Sequence, residues 1–167
     1  DITRGYIDVQ LTVPLQDAQG SLALVPVKWI DWTSRTLTTV TGTITTESGT
    51  VGATLTSAAG FSFVQANGGA NYFNPTAPYV STGVAAPTNS DIIAFNPSGW
   101  RTLTFTKEVR NLYYSFISMN GNGYRFDRDF DIISYGEGYW GNGTPAKRTI
   151  VENGITYYEL YDSSVNG

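Results

Sequence analysis

Across 167 residues, no window repeats apolar side chains at i, i+3, i+4 and i+7 for three turns, and Gly or Pro interrupts nearly every stretch that begins to do so. A chain that cannot lay an apolar stripe along a helix must bury its hydrophobic residues from strands. The opposite pattern is plain in "YIDVQLTVPL". Ile7, Val9, Leu11, Val13 and Leu15 alternate there with Asp8, Gln10 and Thr12, the period of two expected of a half-buried strand. An all-β fold with almost no helix follows.

Further strands are read in "SLALVPVKWIDW", whose Pro26 cannot donate to a ladder and belongs at an edge or bulge. The Thr-rich stretch "TLTTVTGTITTESGTVGATLT" predicts a hairpin turning at "ESG" around Gly49, since the branched Cβ of Thr suits the pleat. "GFSFVQ", "DIIAF", "RTLTFT", "NLYYSFISM", "FDIISY" and "ITYYELY" complete the set, with turns at "NPSGW" and "ENG". Ala66 to Ser90 carries Pro75, Pro78 and Pro87 and is read as a long loop, either functional or packed over a core edge. About nine or ten short strands with frequent turns predict one domain over 1–167, an antiparallel β-sandwich of jelly-roll type.

Composition narrows the chemistry. Charged residues make up 14%, against about 25% in ordinary soluble domains, and Thr, Ser, Gly and Asn take their place, a balance common in extracellular β-proteins. With no cysteine there is no disulfide framework and no thiolate, and the redox compartment is not readable. With no histidine, Ser-His-Asp, Cys-His and His-zinc chemistry are excluded. A net charge of −4 with scattered basic residues argues against nucleic acid as a partner. No apolar run approaches the roughly 20 residues of a membrane span. An initial Asp in place of Met fits removal of an export signal and equally an arbitrary boundary.

From about Trp32 onward the chain resembles the β-rich domain of secreted bacterial proteins of the PEP-CTERM and choice-of-anchor type. The likeness rests on "TVTGTITTESGTVGATLT", "NYFNPTAPYVSTGVAAPTNSDIIAF", "LYYSFISMNGNGYRFDRDFDIIS" and "GYWGNGT". It implies export to the bacterial cell surface or matrix, a β-sandwich and no established enzymatic activity. Such domains generally run on through more strands than remain after "YELYDSSVNG", so the last strand or strands are expected to lie elsewhere.

Three motifs carry candidate chemistry. Asp127, Asp129 and Asp131 fall at every second position of "FDRDFDI" and would share one face of a strand, an oxygen-rich arrangement that suits calcium. The competing reading is a solvated face on which Arg125 and Arg128 neutralise the carboxylates. Tyr139 and Trp140, in the glycine-rich "GEGYWGNG", and Tyr72, Phe73 and Tyr79, in "NYFNPTAPY", offer flat rings for a sugar face, or else plug the core. Acidic residues including Glu137 are numerous enough for a glycosidase pair, though nothing marks one as buried beside an aromatic. No residue is assigned a catalytic role.

The expected function is non-catalytic glycan recognition or adhesion at a bacterial surface. The alternatives are a structural subunit that assembles with other copies and a glycoside hydrolase. The chain stops at Asn166-Gly167, a hairpin signal, and this predicts that a strand supplied in trans completes the sheet, for instance the N-terminal stretch of the next copy.

Overall fold

The computed structural model describes residues 5–9, 27–81, 83–88, 90–95, 98–136 and 140–164, with 5–9 described as backbone. The fold is all-β. Its strands are β1 (Gly5–Val9), β2 (Asp31–Arg35), β3 (Thr39–Thr46), β4 (Gly49–Thr56), β5 (Phe63–Gln65), β6 (Ile92–Ala94), β7 (Gly99–Phe105), β8 (Gly123–Phe126), β9 (Pro145–Glu152) and β10 (Ile155–Asp162). The helical content of the described residues is a single 3₁₀ turn at Ala77–Tyr79, opened by Pro78. No helix among them is long and apolar enough to cross a membrane.

Eight strands form one sheet in the order β2-β3-β4-β7-β1-β8-β10-β9, and β5 and β6 form a two-stranded ribbon. All pairings among the described strands are antiparallel except those of β1, which runs parallel to both β7 and β8. The predicted Thr-rich hairpin is β3–β4. Gly49 sits at φ 115°, a conformation that L side chains avoid, and Thr46 Oγ1 donates to the Gly49 carbonyl at 2.7 Å. At the β9–β10 turn both Asn153 (φ 52°) and Gly154 (φ 78°) are left-handed, as a two-residue type I′ turn requires.

Alternation places Val40, Val51, Ala53, Leu55 and Leu103 inward and rows of threonine outward. Val64 of β5 packs on Val40, Ala53, Leu55 and Leu103, so the ribbon covers the β3-β4-β7 end of the sheet. A second cluster, Met119, Phe126, Trp140 and Leu160, lies under β8 and β10. Phe95 and Tyr114 touch both clusters, which makes the packing continuous along one face.

Several expectations are corrected. "NLYYSFISM" and "FDIISY" join no ladder. Left-handed Asn111 (φ 53°) and Ser118 (φ 55°) bracket the first, and it serves the core through side chains, with Tyr114 stacked on Phe116 at 6.1 Å. Conversely "PAKRTIVE" forms the edge strand β9, where water on one side lets charged residues stand in a ladder. Between Tyr158 and Tyr161 β10 pairs with β8 on one side and β9 on the other, and among the described strands the outer ones are β2 and β9. Pro26, Gln10 to Leu15 and Asn166-Gly167 lie outside the described residues.

Candidate functional site

The sheet surface opposite the core carries the most distinctive chemistry. One register line crosses five strands through Trp100 of β7, Tyr6 of β1, Arg125 of β8, Glu159 of β10 and Arg148 of β9. Tyr157 and Tyr161 of β10 stand two residues to either side of Glu159 and so share its face. The Trp100 and Tyr157 rings are 5.8 Å apart and tilted by 48°. Trp100 keeps 48% of its surface exposed.

Charge is set into this surface in pairs. Arg125, only 3% exposed, contacts Glu152 at 2.7 Å and lies 5.8 Å from the Tyr157 ring centre. Arg148 pairs through Nε with Glu159, itself 1% exposed, and sits 4.6 Å over the Tyr161 ring. Each guanidinium is thus held between a carboxylate and an aromatic face, which fixes both the charge and the ring below it. The result is an aromatic surface edged with donors and acceptors, on which the charges within these two pairs offset one another.

The residues singled out from sequence are distributed otherwise. Phe73 and Tyr79 meet edge to face at 5.3 Å and are buried with Ala86. Trp140 lies in the core beside Met119, Phe126 and Leu160, and its Nε1 has no hydrogen-bond partner among the described residues. These three rings act in packing, with too little face left to lie against a ligand. Tyr72 is exposed, and Tyr139 lies outside the described residues.

The aspartates are not on one strand face, because β8 ends at Phe126 and the chain bends at once. Asp129 pairs with Lys147 at 2.5 Å, and this bond, together with the Phe130 amide, holds its carboxyl below the usual range. Asp127 raises the already burial-raised Tyr114, and Asp131 is exposed. Among the described residues no three acidic side chains are gathered as a cation would need.

The glycine-rich loop has a different purpose. Asp162 is fully buried; Oδ2 accepts from the amides of Gly121 (3.2 Å) and Asn142 (2.9 Å), and Oδ1 from the amide (3.0 Å) and hydroxyl (2.9 Å) of Ser164. Burial alone would raise this carboxyl, but the bonds from Ser164, Gly121 and Asn142 outweigh it and hold it below its ordinary value. A Cβ at Gly141 or Gly143 would collide with the Asp162 oxygens, so both glycines are needed for the loop to close around that carboxylate.

On the core face, burial lifts Tyr124 to about 12 and lowers Arg101, whose Nη1 donates to the Gly99 carbonyl and whose guanidinium lies 5.2 Å from the Phe95 ring centre. Sequence reasoning read Trp100 as the end of a turn and as a ring plugging an end of the sandwich, and so missed the Trp100–Tyr157 surface, on which Trp100 stands exposed. The signal that finds it is the parity of "ITYYELY", which sets Tyr157, Glu159 and Tyr161 on one side. Comparison with protein families, curated proteins and solved structures finds no match to this chain.

Proposed function

We propose that this chain is a non-catalytic module of an exported bacterial surface or matrix protein, and that it binds a neutral polysaccharide on the Trp100–Tyr157–Tyr161 face. The observation that carries the reading is the tilted Trp100–Tyr157 pair, in which Trp100 is about half open to water and Tyr157 partly so. Pyranose rings present a face of C–H bonds that stacks on aromatic rings, and their hydroxyls then reach donors and acceptors at the rim. Pairing of Arg125 with Glu152 and of Arg148 with Glu159 supplies both kinds of group without net charge, which favours neutral sugars over uronic acids. The same pairing commits both of these carboxylates to guanidiniums, which supports binding over glycoside hydrolysis at this face. The likeness to anchored secreted domains supports the location.

The test is a glycan array followed by calorimetry. Trp100→Ala and Tyr157→Ala are each expected to weaken binding about tenfold or more, consistent with roughly 1–3 kcal/mol for a lost aromatic contact. Tyr72→Ala leaves binding unchanged. Equal affinity in wild type and Trp100→Ala, or no binding by the wild type, removes the proposal.

A further inference from the structure

The strand β1 is placed unlike any other in the sheet. Its neighbours β7 and β8 are paired through β1 and not with each other, so among the described strands β1 alone carries the backbone ladder between an antiparallel half β2-β3-β4-β7 and an antiparallel half β8-β10-β9. Five positions pair it with β7, from Gly5↔Gly99 to Val9↔Leu103, and two pair it with β8. It forms no hairpin with either, and parallel partners cannot be joined by a tight turn. Residues 10–26 link it to Val27, and the next strand among the described residues, β2, lies four places away in the sheet. That separation is about 19 Å at the usual strand spacing. A connection of this length spans up to about 55 Å, far more than the path requires.

We infer that the slot between β7 and β8 accepts β1 from a second copy of this chain, giving strand-exchanged oligomers. Every backbone bond of the intramolecular arrangement is remade in the exchanged one, because donor and slot have the same sequence and register. Only the effective concentration conferred by the tether favours the closed monomer, and that advantage is overcome at millimolar protein or on a crowded surface. Two copies that exchange reciprocally fill each other's slots and close a two-fold dimer, and donation from each copy to the next, donor strand to slot, extends the exchange into rings or filaments. The occupant is fixed by the register itself and does not depend on the sugar-binding reading.

The chain has no cysteine, which allows a clean test. Asp8 and Thr102 are register partners. Full chains carrying Asp8→Cys alone and Thr102→Cys alone are mixed at high concentration, oxidised and digested. Exchange predicts a covalent heterodimer whose digest contains a disulfide-linked peptide pair, joining position 8 of one chain to position 102 of the other, in a yield that rises with protein concentration. The double variant Asp8→Cys/Thr102→Cys, oxidised at low concentration, reports that the slot is filled in cis and that the substitutions are tolerated. An internal link in the double variant with no such heterodimer at any concentration overturns the inference, as does the absence of the link in both experiments.

Discussion

The two halves of the sheet obey the same alternation and spend it on opposite chemistry. In β3, β4 and β7 the outward positions form two rows, Thr39–Thr56–Thr102 and Thr41–Thr54–Thr104, and β2 adds Ser34, whose hydroxyl is 2.7 Å from that of Thr41. Beneath them lie aliphatic side chains, with Val40, Ala53, Leu55 and Leu103 each at most 5% exposed. In β8, β10 and β9 the outward positions carry Arg125, Tyr157, Glu159, Tyr161 and Arg148, and beneath them lie aromatics and a buried carboxylate. The hydroxyl rows offer one kind of group, whereas the mixed aromatic and charged surface, which Trp100 of β7 joins at its border, offers several. The difference teaches that strand propensity accounts for the first half, and that the second half carries groups propensity alone does not require.

The largest expected effect is in the aromatic half. Trp140→Ala should cost about 3–5 kcal/mol, measured by urea unfolding, because the ring is sandwiched among Met119, Phe126, Phe116 and Leu160. Trp140→Phe should cost much less, since it keeps most of the ring and removes an indole N–H that finds no partner among the described residues. If Trp140→Ala unfolds at the wild-type urea concentration, packing is not what this ring does. In the aliphatic half, Leu55→Ala should cost about 2–4 kcal/mol without altering glycan binding.

Asp162→Ala comes next, at about 3 kcal/mol, because it orphans the amides of Gly121, Asn142 and Ser164 at once. This carboxyl also gives the half a pH signature. Its folded pKa is depressed, so its stabilisation is complete above the unfolded value of about 4 and is lost as pH falls through the lower folded value. Acid should therefore lower the urea midpoint below about pH 4, and Asp162→Asn should flatten the part of that fall due to Asp162. An identical acid profile in wild type and Asp162→Asn breaks the argument.

How much of this was legible from sequence follows the same division. The β3–β4 hairpin could be read residue by residue, since Thr alternates with Val, Ile and Leu and Gly49 marks the turn. The long loop from Ala66 to Ser90 was legible from its prolines. The aromatic half was not, because Tyr114, Phe116 and Phe130 have strand-like composition yet pack as a cover, and composition does not say whether a backbone finds a ladder partner. The glycine-rich stretch that suggested a sugar platform is explained by Asp162, about twenty residues further on, and a contact at that distance leaves no local trace. The three aspartates misled for a similar reason: period-two spacing means a shared face only if the strand continues, and β8 stops at Phe126.

The smallest expected effect is the sharpest test of the comparison. Thr54→Val and Thr104→Val exchange an outward hydroxyl for a methyl in the threonine rows. Only Thr104→Val removes a bond here, Thr104 Oγ1 to the Thr54 backbone carbonyl, and that bond is long at 3.4 Å and open to water. Each substitution should change stability by no more than about 0.5 kcal/mol, since water replaces the lost partner and Val is at least as good a strand former. The equivalent step in the other half, Glu159→Gln, removes the charge that faces Arg148 at a position only 1% exposed, and it should be clearly more destabilising. Urea midpoints of the three variants decide the matter. If the threonine substitutions cost as much as Glu159→Gln, the hydroxyl rows are not the passive surface that strand propensity makes them, and the contrast between the two halves fails.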